Sequence, residues 1–236
     1  MHGKSIRIPQ EQSLAQAAEA CLDRIAAGGI VIVPLDVAYA IVGNAAEAIA
    51  RIFAAKQRSF DKPSGCFANW DLFNEIQICG PRERDVVRAV VLDHDLPLST
   101  VAPFRRDHPF LAGLAPFALE HSSKAGTLDM LMNAGAFHNA MAALSAARQL
   151  PVLGSSANTS LTGSKFRLAE VDAKVRQAAD LEIDGGPSKY ANPEGVSSTI
   201  IDLRDFKTVR KGVCYDAIAR ILKRDFKIDL YANGMA

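Results

Sequence analysis

The chain has 236 residues, long enough to bury a core of its own, and its 49% hydrophobic and 22% charged content is ordinary for a soluble globular protein. A formal net charge of +1 excludes a global basic field, so any nucleic-acid contact would need a local patch and is expected to be weak or missing. No apolar run approaches the ~18 residues of a membrane helix, and no apolar stretch follows a basic N-terminus, so the expected compartment is the cytoplasm, with no membrane partner.

Taken in chain order, Ser13 is placed to cap a helix whose Leu14, Ala18, Cys21, Leu22 and Ile25 share one face, with Gly28-Gly29 as its stop. Ile30 to Val33 is short, β-branched and continuous, the pattern of a buried strand. Pro34 then turns the chain into a loop that carries Asp36 and Tyr39. Asn44 and Glu47 have capping-box spacing before a second helix with core residues Ile49, Ile52 and Phe53, and Lys56 falls at its C-terminal end. Pro81 opens a third helix containing Val86, Val87, Val90 and Val91. Further strands are expected over 96–101, 128–132, 151–153, 181–183, 198–201 and 208–210, with helices near 137–149, 168–179 and 215–225. Because both helices and short turns separate the strands, a mixed sheet within one α/β layered domain is expected over 1–236. Its core spans about 13–215, followed by a short C-terminal helix and tail.

Cys21, Cys66, Cys79 and Cys214 are widely scattered, without CxxC or metal-ligand spacing, and read as free, mostly buried thiols. No histidine has metal-ligand spacing, and His138, beside Phe137 at a helix start, reads as a boundary residue. Phe67 and Trp70 read as core. Arg82, Arg84 and Arg88, like Arg105-Arg106, read as solvated faces.

Two separated segments carry the chemistry. Lys56-Gln57-Arg58 supplies fixed positive charge, and Gly154-Ser-Ser-Ala-Asn158 supplies short polar side chains after an apolar run. Such donors, gathered at a strand end, suit phosphates. Either segment alone would be ordinary surface or turn chemistry.

Their surroundings resemble a known family. Gly29-Ile-Val-Ile-Val-Pro34-Leu-Asp36-Val-Ala-Tyr39-Ala is similar to a strand followed by Pro-Thr-Asp-Thr-x-Tyr-Gly. The segment from Arg51 through Lys56-Gln-Arg58 to Lys62-Pro63 is similar to Lys-x-Arg-…-Lys-Pro. Pro151 to Asn158 resembles Pro-hydrophobic-…-Ser-Ala-Asn. Ser197-Ser198-Thr199-Ile-Ile-Asp202 with Val209-Arg210-Lys-Gly212 resembles Ser-Thr-hydrophobic-hydrophobic-Asp…Arg-x-Gly. In that order these are the patterns of the YrdC/Sua5 family, and the resemblance runs over roughly 13–215.

The resemblance implies a twisted mixed sheet flanked by helices around a central cavity. It also implies synthesis of threonylcarbamoyl-adenylate from ATP, bicarbonate and threonine, a nucleotidyl transfer that serves the t6A modification of tRNA alongside tRNA-modification partner proteins. By resemblance, Lys56 and Arg58 are the catalytic residues, and Lys56, Arg58, Ser156, Asn158, Ser198 and Arg210 surround the nucleotide phosphates. Pro34, Leu35, Asp36 and Tyr39 would border the small substrate. ATP is expected as substrate, with Mg2+ accompanying it; no dedicated carboxylate cage is visible, and Asp36 is only a distant candidate. The C-terminal extension of some family members is expected to be missing.

Three departures bear on substrate choice. Leu35, Val37 and Ala40 stand where the pattern has Thr, Thr and Gly, and Asp95-Leu96-Pro97-Leu98-Ser99 is a reduced Pro-Gly-Pro-x-Thr segment. Residues 125–147 hold no Lys or Arg, where the family has a strand arginine. The expected functions are therefore a threonylcarbamoyl-adenylate synthase-like enzyme, a divergent paralogue that keeps nucleotide binding but uses another carbamoylated or acyl substrate, or a non-catalytic nucleotide- or RNA-binding module.

Overall fold

In chain order the first strands are β1 (Lys4–Arg7), β2 (Val31–Val33), β3 (Ala40–Gly43), β4 (Gly65–Phe67) and β5 (Leu98–Pro103). They are followed by β6 (Ser123–Lys124), β7 (Thr127–Met132), β8 (Leu153–Ser156), β9 (Leu181–Asp184), β10 (Ile200–Asp202) and β11 (Lys207–Arg210). The helices are α1 (Leu14–Ala26), α2 (Ala46–Lys56), α3 (Trp70–Ile76), α4 (Pro81–Arg88) and α5 (Pro109–Ala112). The rest are α6 (Pro116–Glu120), α7 (Ala136–Arg148), α8 (Ala173–Gln177), α9 (Tyr215–Phe226) and α10 (Leu230–Asn233). This computed structural model describes residues 14–59 and 61–235, and residues 4–7 by their backbone; the Ser13 cap lies outside the described residues.

The strands form one mixed sheet in the order β1-β9-β2-β3-β8-β4-β7-β5-β10-β11, with β6 paired to β7 off that path. The β1–β9, β9–β2, β4–β7 and β5–β10 pairs are parallel, and the others are antiparallel. The sheet with its flanking helices makes a single α/β domain.

Strand periodicity assigns the two faces. Ile30, Ile32 and Ile41 enter one core with Ile49, Ile52 and Phe53 of α2, Leu72 and Phe73 of α3, and Ile218 and Leu222 of α9. Val31, Val33 and Val42 point the other way, into a second core with Cys21, Leu22 and Ile25 of α1 and Phe137 and Met141 of α7. Each fully buried Leu or Ile contributes about 1.5–3 kcal/mol. Further along the sheet, Leu128, Met130 and Met132 of β7 and Leu98 and Ala102 of β5 fill the first core. Their alternates, Thr127, Asp129 and Leu131 with Ser99 and Val101, face a cavity.

Several expectations shift. The Asn44/Glu47 box does not form: Ala45 is the N-cap of α2, without a side-chain cap. β3 and β4, apolar segments of only four and three residues, are additional strands, and the strand expected over 151–153 runs instead from Leu153 to Ser156. Helix 168–179 divides into a 3-10 turn (Leu168–Glu170) and α8, and α10 follows α9. The third helix continues past α4 as a π-helical turn, Ala89–Asp93. Trp70 begins α3 half-buried against the first core, while Phe67 is buried as expected.

His138 lies in the first turn of α7, as expected of a residue near a helix start, yet it is no surface group. It is fully buried within α7, its ring 4.7 Å from that of Phe67, and burial drives its pKa down to about 4. It stays neutral at physiological pH. All four cysteines are free, with Cys21 and Cys66 fully buried. No helix among the described residues is long and apolar enough to cross a membrane.

Candidate functional site

The cavity has a volume of about 830 Å³ and opens on the sheet face that carries Ser99, Asp129 and Ile200. Lys56, Arg58, Ser156, Asn158, Ser198 and Arg210, drawn from the three later family-like segments, all line it. So do Leu35 and Tyr39 from the first. Pro34 and Asp36 do not.

Lys56 ends α2, and Gln57 follows in the left-handed conformation (φ 49°), its N–H donating to Ala54 O while Arg58 N–H donates to Phe53 O. This cap reverses the chain so that Lys56 and Arg58 reach the same cavity. The Lys56 side chain, 1% exposed, donates from Nζ to the carbonyl of Asn158 at 2.7 Å and to that of Ser156. Lys56 thus binds the backbone of the Ser-Ser-Ala-Asn turn, and one of its three N–H donors remains. Burial and the neighbouring Arg58 lower its pKa to about 7, against the pull of Asp172; the two carbonyls favour the charged form.

Arg58 donates from Nε to Lys62 O and from Nη2 to Pro63 O, both at 2.7 Å, and its guanidinium lies over the Phe53 ring. The Lys62-Pro63 loop is therefore shaped by Arg58. Arg210 donates from Nε to Ser198 O and from Nη2 to Ser198 Oγ, both at 2.9 Å. Burial holds both guanidinium pKa values below the usual range, and Arg210 lowers that of Arg58 further. Two cations that face one cavity and repel each other form a site suited to an anion.

Ser156 Oγ donates to Asn158 Oδ1 at 2.6 Å, and Asn158 Nδ2 donates to Thr159 O at 2.6 Å. Ser155 Oγ and Ser160 Oγ, both on residues lining the cavity, are buried without hydrogen-bond partners among the described residues. Tyr39 contributes its ring only: its hydroxyl donates to Gly186 O at 2.7 Å and accepts from Gly185 N–H at 3.1 Å, and burial raises its pKa to about 12.

Asp36 faces a separate pocket of about 220 Å³ with Asp95, Asn133, Lys189 and Tyr190. Its carboxylate occupies the space that a Cβ at Gly135 would need. Pro34 packs against Gly185. Among the described residues no group of three or more His, Cys, Asp or Glu could hold a metal ion. Of the cavity carboxylates, Asp202 is committed to a two-pronged pair with Arg204. The residues present thus build no metal cage of their own.

Asp129 is the residue that the sequence reading missed. It lies on β7, within the stretch noted for its lack of cations, and its side chain faces the arginines. Burial raises its pKa to about 6 despite Arg210, the Ser99 hydroxyl and Arg58, all of which lower it. The available signal was a lone acid in an apolar alternation, Thr127-Leu-Asp-Met-Leu-Met132.

No family model matches the chain, and neither does any curated protein. Solved structures do resemble it. A hypothetical protein from Streptococcus mutans aligns with a TM-score of 0.80 at 17% identity, over 97% of each chain. Sua5 of P. abyssi complexed with L-threonine aligns at 0.68 and 23% identity, over 88% of this chain and 56% of that one. Full-length HypF in a phosphate- and nucleotide-bound form aligns at 0.58 and 16% identity, over 82% of this chain and 27% of that one. The chain thus spans little more than half of Sua5 and about a quarter of HypF. At these identities the likeness establishes the fold: this is a divergent YrdC-like fold, one it shares with Sua5 and with part of HypF.

Proposed function

We propose that the cavity binds an adenine nucleotide and forms a carbamoyl-adenylate from ATP, bicarbonate and an amino acid, in the manner of a threonylcarbamoyl-adenylate synthase. The observation that carries this is the convergence of Arg58, Arg210, Ser156, Asn158 and Ser198 on one cavity. In that reaction a carbamate oxygen bonds to the α-phosphorus while the bond to the β-phosphate breaks and pyrophosphate departs. Little covalent work falls to the protein, so placement and charge stabilisation dominate.

Arg58 and Arg210 would hold the phosphates, with Ser156, Asn158 and Ser198 completing the polar shell. Lys56 would fix the Ser156–Asn158 turn and offer its remaining N–H. Magnesium would arrive with the nucleotide, because the described residues supply no cage for it. Lys62 and Lys124 also line the cavity and would add positive charge around a polyphosphate.

A second reading, a paralogue that uses a substrate other than threonine, is favoured by Leu35 and Val37. Both are buried and line the cavity. Their side chains offer threonine's hydroxyl no partner, and a buried hydroxyl without one costs about 1–3 kcal/mol. A link to tRNA modification and its partner proteins belongs to the first reading alone.

The test is pyrophosphate release from ATP and bicarbonate with each amino acid in turn, beside an undisputed synthase. ATP-dependent release with some amino acid, and threonine at least tenfold below the reference enzyme, is the expected result. Threonine turnover within tenfold of the reference would remove the second reading. No release with any amino acid, together with no ATP binding, would remove both.

A further inference from the structure

Asp129 is an odd group for a cavity built to hold anions. Its side chain lines the cavity and is partly buried there, yet its Oδ1 is shielded from solvent and has no hydrogen-bond partner among the described residues. Arg58 and Arg210 act on it through space, and among the described residues neither forms an ion pair with it. No ligand donor reaches the shielded oxygen, so a proton is what relieves the cost of burying this charge. Burial already raises the pKa to about 6, against Arg210, the Ser99 hydroxyl and Arg58.

Two hydroxyls join this carboxyl to the anion-facing groups. Ser99 of β5 hydrogen-bonds to it and stands 3.2 Å from Ser198 Oγ, the oxygen that accepts from Arg210 Nη2. The other strands beside β7 are β4 and β6. β4 brings Cys66, whose thiol is pushed up to about 12 by burial and by Asp129, and β6 brings Lys124. Asp61 and Lys62, from the loop that Arg58 shapes, line the same cavity, whereas Asp202 of β10 is paired with Arg204. The arginines stay charged and Cys66 stays neutral around pH 7. Asp129 and Lys56 both change charge close to neutral pH.

We propose that an anion entering this cavity brings a proton from solvent onto Asp129, so that polyphosphate binding and protonation of this carboxyl are one coupled event. The inference deepens the function proposed above and rests on its nucleotide half. A phosphate charge about 6 Å from the carboxyl, at an effective dielectric of about 20, strengthens proton binding there about a hundredfold. Linkage gives the reverse effect: a neutral Asp129 leaves Arg58 and Arg210 to the ligand, while a charged one opposes it. The contribution of Asp129 to anion affinity is therefore greatest below about pH 6 and falls as the pH rises above it.

The experiment is calorimetry of ATP binding to the full chain at pH 7 in buffers of different ionisation heat, which counts the protons taken up. The parent is expected to take up about half to one proton more than Asp129→Asn. Lys56 and the phosphates titrate in both proteins, so the difference isolates the carboxyl. Asp129→Asn holds the neutral form at every pH, and should bind ATP about tenfold or more tightly than the parent at pH 8, and about equally at pH 5.5. Replacing a merely structural residue would not strengthen binding. If Asp129→Asn does not fold by circular dichroism, infrared difference spectra of the parent take its place. ATP has no carboxyl, so a protonated-carboxyl band that appears on adding ATP at pH 7 reports the uptake directly.

Equal proton uptake by the parent and Asp129→Asn overturns the proposal while the nucleotide reading stands. So does a variant that binds ATP no more tightly than the parent at pH 8 or, where the variant does not fold, a parent spectrum without the carboxyl band. No ATP binding by the folded parent overturns both.

Discussion

Lys56 Nζ donates to the backbone carbonyl of Asn158 at 2.7 Å, across 102 residues of chain. The two most polar segments of the cavity are therefore tied to each other before any ligand enters. A side chain whose type and place suggested a phosphate ligand holds its own protein backbone.

Replacing Lys56 with Met should consequently destabilise the empty protein. Two carbonyls in a largely buried turn lose their donor, at a cost of about 2 kcal/mol. Chemical denaturation without ligand measures this. A Lys56→Met variant as stable as the parent would return Lys56 to a purely ligand-facing role.

Arg210 is bonded through Ser198 at the cavity wall, and Arg58 through the Lys62 and Pro63 carbonyls. Arg58→Ala and Arg210→Met should each weaken ATP binding by about 1.5–3 kcal/mol, the value of a charge-assisted hydrogen bond. Titration calorimetry gives the answer directly. Unchanged affinity in both variants would leave the cavity without an anion site.

The raised pKa of Asp129 makes a stability signature. The folded protein binds this proton more tightly than the unfolded chain, so the group's favourable contribution is complete below about pH 3.8 and is lost as pH rises through about 6. The charged and polar groups acting on it are Arg210, Ser99 and Arg58. The stability of Asp129→Asn relative to the parent should therefore rise by on the order of 2 kcal/mol between pH 4 and pH 7. A relative stability that is flat across that range would mean that Asp129 titrates normally.

The cysteines divide by depth. Cys21 and Cys66 are fully buried, with thiol pKa values pushed up to about 12, whereas Cys79 and Cys214 are half-buried. A thiol alkylating agent should modify Cys21 and Cys66 only in denaturant, because the thiolate is the reactive form. Mass spectrometry of protein alkylated without prior reduction should find no disulfide. A stoichiometric bridge would contradict the free-thiol geometry.

Legibility in the sequence followed the range of the interactions. α1 and α7 could be read because their apolar spacing is complete within the segment, and β2 because its β-branched run ends at Pro34. β3 and β4 could not: Ala40–Gly43 and Gly65–Phe67 are only four and three residues long, and both are held in the sheet by the distant β8, beside β2 for the one and β7 for the other. Asn44 and Glu47 had the right spacing for a cap, but the chain enters α2 through Ala45 instead.

At the site, the residue types of Lys56, Arg58 and Arg210 pointed to one polar cavity, and all three line it. What Lys56 binds was invisible, because its acceptors are backbone carbonyls, which carry no sequence signal. Asp129 carries no motif, only its place as a lone acid between apolar residues of β7.

The shuffled strand order has a kinetic corollary. β8 lies between β3 and β4, and β10 pairs with β5, so strands close in sequence are separated by others that are synthesised much later. The loops that close the cavity carry entropy costs that must be met before its contacts form, and such topologies fold slowly. Trp70, at the start of α3, packs against the Phe73 ring three residues on, 5.5 Å between centroids, whereas the Lys56–Asn158 tie closes over 102 residues. During refolding, indole fluorescence should recover while the cavity is still incomplete, and ligand binding should return in a later, slower phase.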